Sequence, residues 1–191
     1  MRRIYIGLDL AAKPSRCTGF VAIEHKQKLD VVEAMCLSLD DEIVYAVTRF
    51  ENPVVAIDAP LTTSDKPLRS VDRKMILLGY RVLPPSLPHM RMLTSRAISI
   101  ATKLREYGAT VIETHPRSVL KSSKCSSVED LAKKLGIELK PNIAKNKDIR
   151  DAFLAAVAAL CFDFNCSNPI QESDGVIWLI KELCLYSNLN S

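Results

Sequence analysis

The sequence has few of the residues that mark several common classes of protein. Aromatic residues make up only 6% of its 191 residues, and histidine occurs three times. There is therefore no pattern of alternating basic and aromatic side chains of the kind on which single-stranded nucleic acids stack. The six cysteines form no Cys-x-x-Cys pair and have no partner histidines, which argues against a zinc site. We expect reduced thiols, the usual state in the cytosol.

Long apolar runs, internal repeats and low-complexity tracts are also absent. No apolar stretch is long enough to span a bilayer, and the opening Met1-Arg2-Arg3 leads directly into a predicted strand, without a leader of signal-peptide design. We therefore expect a cytoplasmic protein with no membrane partner. At 48% apolar residues, the chain is most simply one domain over residues 1–191 with a substantial core.

The charge is distributed unevenly along the chain. The net charge is only +4, yet residues 60–150 contain 18 basic and 8 acidic side chains, so acidic residues are in excess elsewhere. Such a basic segment fits an anionic polymer that approaches an acidic cluster. A solvated basic surface would explain the same asymmetry.

Apolar runs and short connections predict a mixed α/β sheet. The first third of the chain has the pattern β-β-β-α-β, and the loop from Ala11 to Cys17 is too short for a crossover helix, so the first two strands pair antiparallel. The five predicted strands cover residues 4–10, 18–23, 29–35, 54–58 and 109–114. Residues 148–162 form a helix that is apolar on nearly every face. Residues 176–180 could be strand or helix.

Residues 60–90 form a basic, proline-rich insertion. Five of the ten prolines lie there, on either side of a predicted helix over 68–78, and the next helix is predicted over 94–107. We expect the insertion to be irregular or mobile and to border the functional site.

Acidic residues end several of the apolar runs. Asp9 and Asp58 each close a strand, and Glu113 stands near the end of another. Ligands collect at the carboxyl edge of such sheets, and several acids there suggest a shared divalent metal. Turn formation would also explain Asp58, and Glu113 could be a solvated strand residue.

Asp148 and Asp151 begin the apolar helix at positions i and i+3. They can therefore project from one side of its first turn, as two oxygen ligands of one metal would. A helix-capping arrangement is an equal alternative. If both roles exist, Asp148 is the natural cap and Asp151 the more important ligand, because an unpaired acid one turn into an apolar helix is costly.

Taken in order, these segments resemble known nuclease families. They are similar to an uncharacterised-domain family of predicted RNase H-fold nucleases and to the RuvC-type resolvases, over roughly residues 4–162. The matching motifs are Ile6-Gly7-Leu8-Asp9-Leu10-Ala11, Ala56-Ile57-Asp58-Ala59-Pro60-Leu61, Arg69-x-x-Asp72-Arg73, Ile112-Glu113-Thr114-His115-Pro116 and Asp148-x-x-Asp151-Ala152.

The resemblance implies a fold and a site. It implies an RNase H-like five-stranded sheet of order 3-2-1-4-5, with strand 2 antiparallel. It also implies that Asp9, Asp58, Asp148 and Asp151 bind metal, with Glu113 as an accessory catalytic residue. RuvC-type enzymes usually have glutamate where this chain has Asp58, and they lack the long insertion, so junction cleavage does not carry over.

The implied activity is two-metal hydrolysis of nucleic-acid phosphodiesters with Mg²⁺ or Mn²⁺. Arg69, Arg73, Lys74 and His115 are the candidate substrate-binding residues. Two alternatives remain open: an actin-like nucleotide-binding or phosphotransferase domain, and a non-catalytic nucleic-acid-binding module. The sequence does not distinguish DNA from RNA, and it does not indicate an oligomeric state.

Overall fold

A computed structural model describes residues 2–184 of the chain. The strands are β1 (Arg3–Asp9), β2 (Thr18–His25), β3 (Leu29–Leu37), β4 (Val54–Ile57), β5 (Thr110–Glu113), β6 (Ser167–Glu172) and β7 (Gly175–Ile180). The helices are α1 (Asp40–Thr48), α2 (Ser70–Leu77), α3 (Pro88–Glu106), α4 (Pro116–Ser123), α5 (Val128–Lys134), α6 (Pro141–Lys145) and α7 (Lys147–Asp163).

All seven strands belong to one mixed sheet. Its order is β3-β2-β1-β4-β5-β7-β6. Strand β2 is antiparallel to both β1 and β3, whereas β1, β4, β5 and β7 run parallel to one another. The carboxyl ends of β1, β4 and β5 therefore lie side by side at one edge of the sheet.

Helices cover both faces of the sheet, which is why its central strands are apolar throughout. On β1, Ile4, Ile6 and Leu8 belong to the core cluster shared with α1 and α3. Tyr5 points the other way, into the cluster dominated by α7. Alternate residues of a strand face opposite sides, so β1 is buried on both.

Two glycines allow α7 to lie directly on the sheet. A Cβ atom at Gly7 would overlap the backbone of α7 at Ala152 and Ala156. A Cβ atom at Gly19 would overlap the backbone of Asp148. Helix backbone cannot move aside as a flexible side chain can. The close approach of α7 to the sheet therefore requires glycine at positions 7 and 19.

We expect Gly7→Ala to destabilise the protein by about 3 kcal/mol or more, because a methyl group there overpacks the contact between β1 and α7. Urea unfolding measures the change. The matched comparison is Gly136→Ala, whose methyl group meets no atom within 4 Å. Only the left-handed backbone at Gly136 (φ +69°) opposes that change, at a cost of roughly 1–2 kcal/mol. Equal losses in the two variants would contradict the close-packing argument.

Within residues 2–184 the sheet has seven strands, so the prediction of five strands was wrong. The added strands β6 and β7 form an antiparallel hairpin that extends the sheet beyond β5. Residues 176–180, which the sequence left as strand or helix, lie in β7. Strand β6 contains Pro169 and lies at the sheet edge, where a missing backbone donor is tolerated; its weak apolar pattern hid it in the sequence.

The helices also differ from the prediction in places. Helix α3 begins at Pro88, six residues before the predicted start at Thr94, because Pro88 occupies the first helical position, which needs no N–H donor. The short helices α4 and α6 also begin with proline and were not predicted. None of the helices within residues 2–184 has both the length and the apolar character needed to cross a membrane.

The insertion over residues 60–90 is tied to the hairpin of β6 and β7. The carboxylate of Asp174, in the hairpin turn, accepts hydrogen bonds from the backbone N–H groups of Ser70 and Val71 at the start of α2. The hydroxyl of Thr62 donates to the Asp174 carbonyl at 2.7 Å. Apart from α2 and the first residues of α3, the insertion has no regular secondary structure.

The cysteines differ from the sequence-based prediction. They form three disulfides, Cys17–Cys36, Cys125–Cys184 and Cys161–Cys166, with Cα–Cα distances of 5.1, 5.0 and 4.5 Å. No cysteine within residues 2–184 is free. The prediction of reduced thiols is corrected accordingly; two of the pairs join residues 19 and 59 positions apart, which no local spacing motif reveals. Cytoplasmic localisation stays a prediction.

Candidate metal centre

Asp9 and Asp58 are neighbours at the carboxyl edge of the sheet. Asp9 is the last residue of β1, and Asp58 follows β4 directly. The Asp58 N–H donates to the Leu8 carbonyl at 2.8 Å, so the parallel pairing continues to this level. On the other side of β4, Glu113 pairs with Ile57. Three acids therefore end three adjacent strands.

Helix α7 adds two more acids. Asn146 is its cap, since the Asn146 side chain accepts hydrogen bonds from the backbone N–H groups of Asp148 and Ile149 at 2.9 and 3.2 Å. The prediction that Asp148 caps the helix was therefore wrong: a side-chain oxygen two residues earlier already accepts the exposed N–H groups. Asp148 is thus not needed as a cap. Asp151, one turn further, is buried at 8% exposure.

The acids interact electrostatically as one group. Burial, followed by the charges of Asp151 and Asp148, raises the pKa of Asp9 to about 7. Burial also raises the pKa of Asp58 well above its usual value, with contributions from Asp9, Asp151 and Glu113. Four carboxylates from β1, β4 and α7 therefore share one region at the sheet edge.

The carboxylates of this group have almost no protein partners. Within residues 2–184, no hydrogen-bond donor contacts the carboxylates of Asp9, Asp58 or Asp148. Asp151 has one cation nearby, the Lys147 ammonium at 3.7 Å. Partly buried acids without donors are costly unless a cation compensates them. Because all the possible metal-ligand atoms of the group are carboxylate oxygens, the group fits a hard divalent ion such as Mg²⁺ or Mn²⁺.

The acids are not drawn tightly together. Among the described residues, three ligand atoms lie mutually within 4.8 Å only at Cys125, Asp130 and Cys184. The two sulfurs there are bonded to each other, so that group is no metal site in this state. Carboxylates that repel one another across an acidic centre are expected to remain further apart than ligands of a bound ion.

Two basic residues beside the acids were missed in the sequence. Lys147 lowers the pKa of both Asp9 and Asp58, although burial and the neighbouring acids raise it more. Arg117, near the start of α4, also lowers the pKa of Asp9. Lys147 lies four residues before Asp151 on one helix, a spacing that could have identified it. No sequence signal linked Arg117 to Asp9, since the two residues are far apart in the chain and only the fold brings them near each other.

Glu113 has a different environment from the other acids. It is 6% exposed, and its oxygens accept hydrogen bonds from Arg69 Nη1 and Nη2 at 2.9 and 2.5 Å and from the Leu61 N–H at 2.8 Å. Arg69 also donates to both oxygens of Asp72, at 3.0 and 2.8 Å. Burial raises the pKa of Glu113, and Arg69 opposes that shift. Glu113 thus fastens the insertion to the sheet, beside the acids.

The predicted substrate-binding residues differ in their exposure and in their partners. Arg69 is buried at 1% exposure and saturated by Glu113, Asp72 and Thr62, so it is not presented to a substrate. Arg73 is exposed, whereas Lys74 pairs with Glu172 on β6 at 2.8 Å.

His115 lies beside the acids. It lines a cleft of about 200 Å³ together with Asp9 and Asp58. Its Nδ1 lies 2.7 Å from Ser118 Oγ. Burial, followed by the charge of Arg117, lowers the pKa of His115 to about 4, so the ring is neutral at physiological pH.

We expect Arg69→Met to destabilise the protein by about 3–5 kcal/mol, because it leaves Glu113 and Asp72 buried without their cation. Arg73→Met, on the exposed side of α2, is the control and should change stability by no more than about 0.5 kcal/mol. Urea unfolding of both variants measures the difference. Similar losses in the two variants would show that the buried network contributes little to the fold.

The sheet order and the antiparallel β2 give the protein a mixed α/β fold of the RNase H-like type. No protein-family model and no curated protein matches the chain. Solved structures of RuvC do match in fold. T. thermophilus RuvC in complex with a Holliday junction substrate aligns at 12% identity over 84% of this chain and 96% of that chain, with a TM-score of 0.50. A second Thermus thermophilus RuvC structure aligns at 13% identity over 85% and 96%, with a TM-score of 0.47.

Proposed function

We propose that the protein is a metal-dependent nuclease that hydrolyses phosphodiester bonds of nucleic acid. The observation that carries this proposal is the group Asp9, Asp58, Asp148 and Asp151. These acids come from the ends of two adjacent parallel strands and from one helix, and no donor among residues 2–184 contacts the carboxylates of Asp9, Asp58 or Asp148. A structural role would require partners, and within residues 2–184 Asp9, Asp58 and Asp148 have none, whereas Asp151 has only the Lys147 ammonium nearby.

The four acids would hold Mg²⁺ or Mn²⁺. Bound there, the ions would activate a water molecule and stabilise the leaving oxygen of a phosphodiester. Glu113 contributes by fixing the insertion beside the acids through Arg69. His115 is neutral and can accept or donate one hydrogen bond through the ring nitrogen that does not contact Ser118.

Cations around the acids suit a polyanionic substrate. Lys147 and Arg117 lie next to the group, and Arg73 is exposed on α2. Contacts between such residues and phosphates position a strand without reading its sequence. RuvC binds a Holliday junction in its solved complex. We propose nucleic acid as the substrate class for this chain and leave DNA, RNA and junctions to experiment.

A cleavage panel tests the proposal. Purified protein with Mn²⁺ or Mg²⁺ is incubated with single-stranded and duplex DNA and RNA, an RNA–DNA hybrid and a four-way junction. We expect metal-dependent cleavage of at least one substrate and its loss in Asp58→Asn. The control Asp41→Asn changes an acid that is 97% exposed and should cleave normally. Salt-sensitive binding without cleavage would favour the non-catalytic module, and Mg²⁺-dependent ATP binding the actin-like alternative.

A further inference from the structure

A second cavity lies beside the insertion and is lined by none of the four acids. It has a volume of about 500 Å³ and is bounded by residues 63–67, by Pro85 and Ser86, and by α3. This volume is within the range of small-molecule sites and is far more than a phosphate ion needs. None of the predicted site residues lines it, so the proposed nuclease centre does not account for it.

One side chain in this cavity lacks a partner. Thr94 on α3 lines the cavity and is 3% exposed, and its Oγ1 atom is buried without any hydrogen-bond partner. Buried hydroxyl groups are nearly always satisfied, so an orphan beside a cavity indicates a group that is supplied from outside. Ser86 and Ser95 add further hydroxyl groups to the wall.

The mouth of the cavity has a net positive charge. Lys66 and Arg91 line it, both side chains are exposed, and neither forms an ion pair within residues 2–184. Asp65 lies on the same wall and offsets one of these charges. An anionic group fits beside the two cations, whereas the Asp65 carboxylate suits a hydrogen-bond donor on the same ligand.

The rest of the wall is apolar. Pro67, Pro85 and Ile98 contribute it. Such surfaces suit the faces of a planar ring, and the hydroxyl groups suit its polar edge. An anionic group, a donor, a polar edge and a planar face occur together in a nucleotide.

We propose that this cavity binds one nucleotide unit, with its phosphate at Lys66 and Arg91 and its nucleoside against Thr94 and the prolines. The same segments line both sites: Pro60, Leu83 and Leu93 face the acidic cleft, and Thr63, Pro85 and Thr94 face the cavity. A strand bound at the acids can therefore place a neighbouring nucleotide here. That source rests on the proposed nuclease function, whereas binding of a free nucleotide does not.

Binding of free mononucleotides in EDTA tests the cavity without the metal centre. The probes are the ribo- and deoxyribonucleoside 5′-monophosphates, measured by isothermal titration calorimetry. We expect saturable binding of at least one probe. Thr94→Val should weaken it by roughly 3- to 10-fold through one lost hydrogen bond, and Arg91→Gln by roughly 10-fold or more through a lost charged contact. The parent nucleoside lacks the group that contacts both Lys66 and Arg91, so it should bind no more tightly than the nucleotide binds to Arg91→Gln.

Controls separate this site from the proposed active site. Thr102→Val lies on the same helix, where its exposed hydroxyl donates to the Ile98 carbonyl, and it should bind normally. Asp9→Asn should also bind normally, since Asp9 does not line the cavity. The absence of saturable binding, an unchanged affinity in Thr94→Val, or a loss of binding in Asp9→Asn would overturn the proposal. Urea unfolding checks that each variant is folded.

A competition experiment identifies the source of the nucleotide. If it belongs to the substrate strand, a single-stranded oligonucleotide displaces the mononucleotide, and Thr94→Val raises KM for cleavage while kcat is unchanged. If it is a free ligand, the oligonucleotide does not compete and the binding persists. Either outcome supports the site. A protein that binds mononucleotides but cleaves nothing would retain the site and refute the nuclease function.

Discussion

Asp151→Asn is expected to abolish most metal-dependent cleavage, with a loss of at least roughly 100-fold, since even the outer partners of metal ligands are worth about 10- to 100-fold. Asp148→Asn should cost less. Asp151 lies buried one turn into α7, where Lys147 at 3.7 Å is its one ion-pair partner among the described residues, and little water can replace a lost ligand. Asp148 lies at the more open first turn, where solvent can substitute.

The comparison uses single-turnover cleavage rates of the two variants with Mn²⁺. Neither substitution removes the helix cap, because Asn146 provides it. Urea unfolding should therefore give both variants wild-type stability or higher, so activity losses report on the site. A larger loss in Asp148→Asn than in Asp151→Asn would show that the two roles are reversed.

Asp9→Asn is expected to stabilise the metal-free protein on the order of 2 kcal/mol at pH 8 and to leave it unchanged near pH 4. Burial, Asp151 and Asp148 raise the pKa of Asp9 to about 7, above its ordinary value of 3.8. The folded state therefore holds the proton more tightly than the unfolded state. Stability from this group is complete below about pH 4 and is lost as the pH rises through 7.

Urea unfolding in EDTA across pH 4 to 8 measures this effect. The wild-type protein should lose stability as the pH rises, and the Asn variant should lose less. Adding Mn²⁺ at pH 8 should stabilise the wild-type protein by mass action and the variant much less. Asp41→Asn, at an exposed position, should follow the wild-type curve. A variant with an unchanged pH slope would show that Asp9 is not held in an unfavourable environment.

The sequence contained enough information to predict the central strands of the sheet and the location of Asp9 and Asp58 at the ends of neighbouring strands. The strands that end at Asp9 and Asp58 are uninterrupted apolar runs, and their carboxyl ends must meet if they are parallel neighbours. The helix of Asp148 and Asp151 was recognisable because its apolar character on every face requires burial. Its distance from the sheet was not predicted, because it depends on what a Cβ atom at Gly7 or Gly19 would strike.

Other parts of the site could not be predicted, because they depend on contacts between distant segments. Arg69 appeared to be a phosphate ligand, since a basic residue in a proline-rich segment is usually exposed. It is buried instead, because Glu113 and Asp72 together compensate it. Thr94 had no signal in the sequence: a threonine on an amphipathic helix gives no indication that its hydroxyl group lies unpaired in a cavity.

The contact between Asp174 and the first turn of α2 should make these two parts of the chain change together in homologous sequences. The hairpin turn supplies the acceptor that the exposed N–H groups of α2 need, and Thr62 binds the same residue. The hairpin and the insertion are therefore one structural unit, although about 100 residues separate them in the chain. Homologous sequences that lose the aspartate at position 174 should also have lost or redesigned the segment over 60–77.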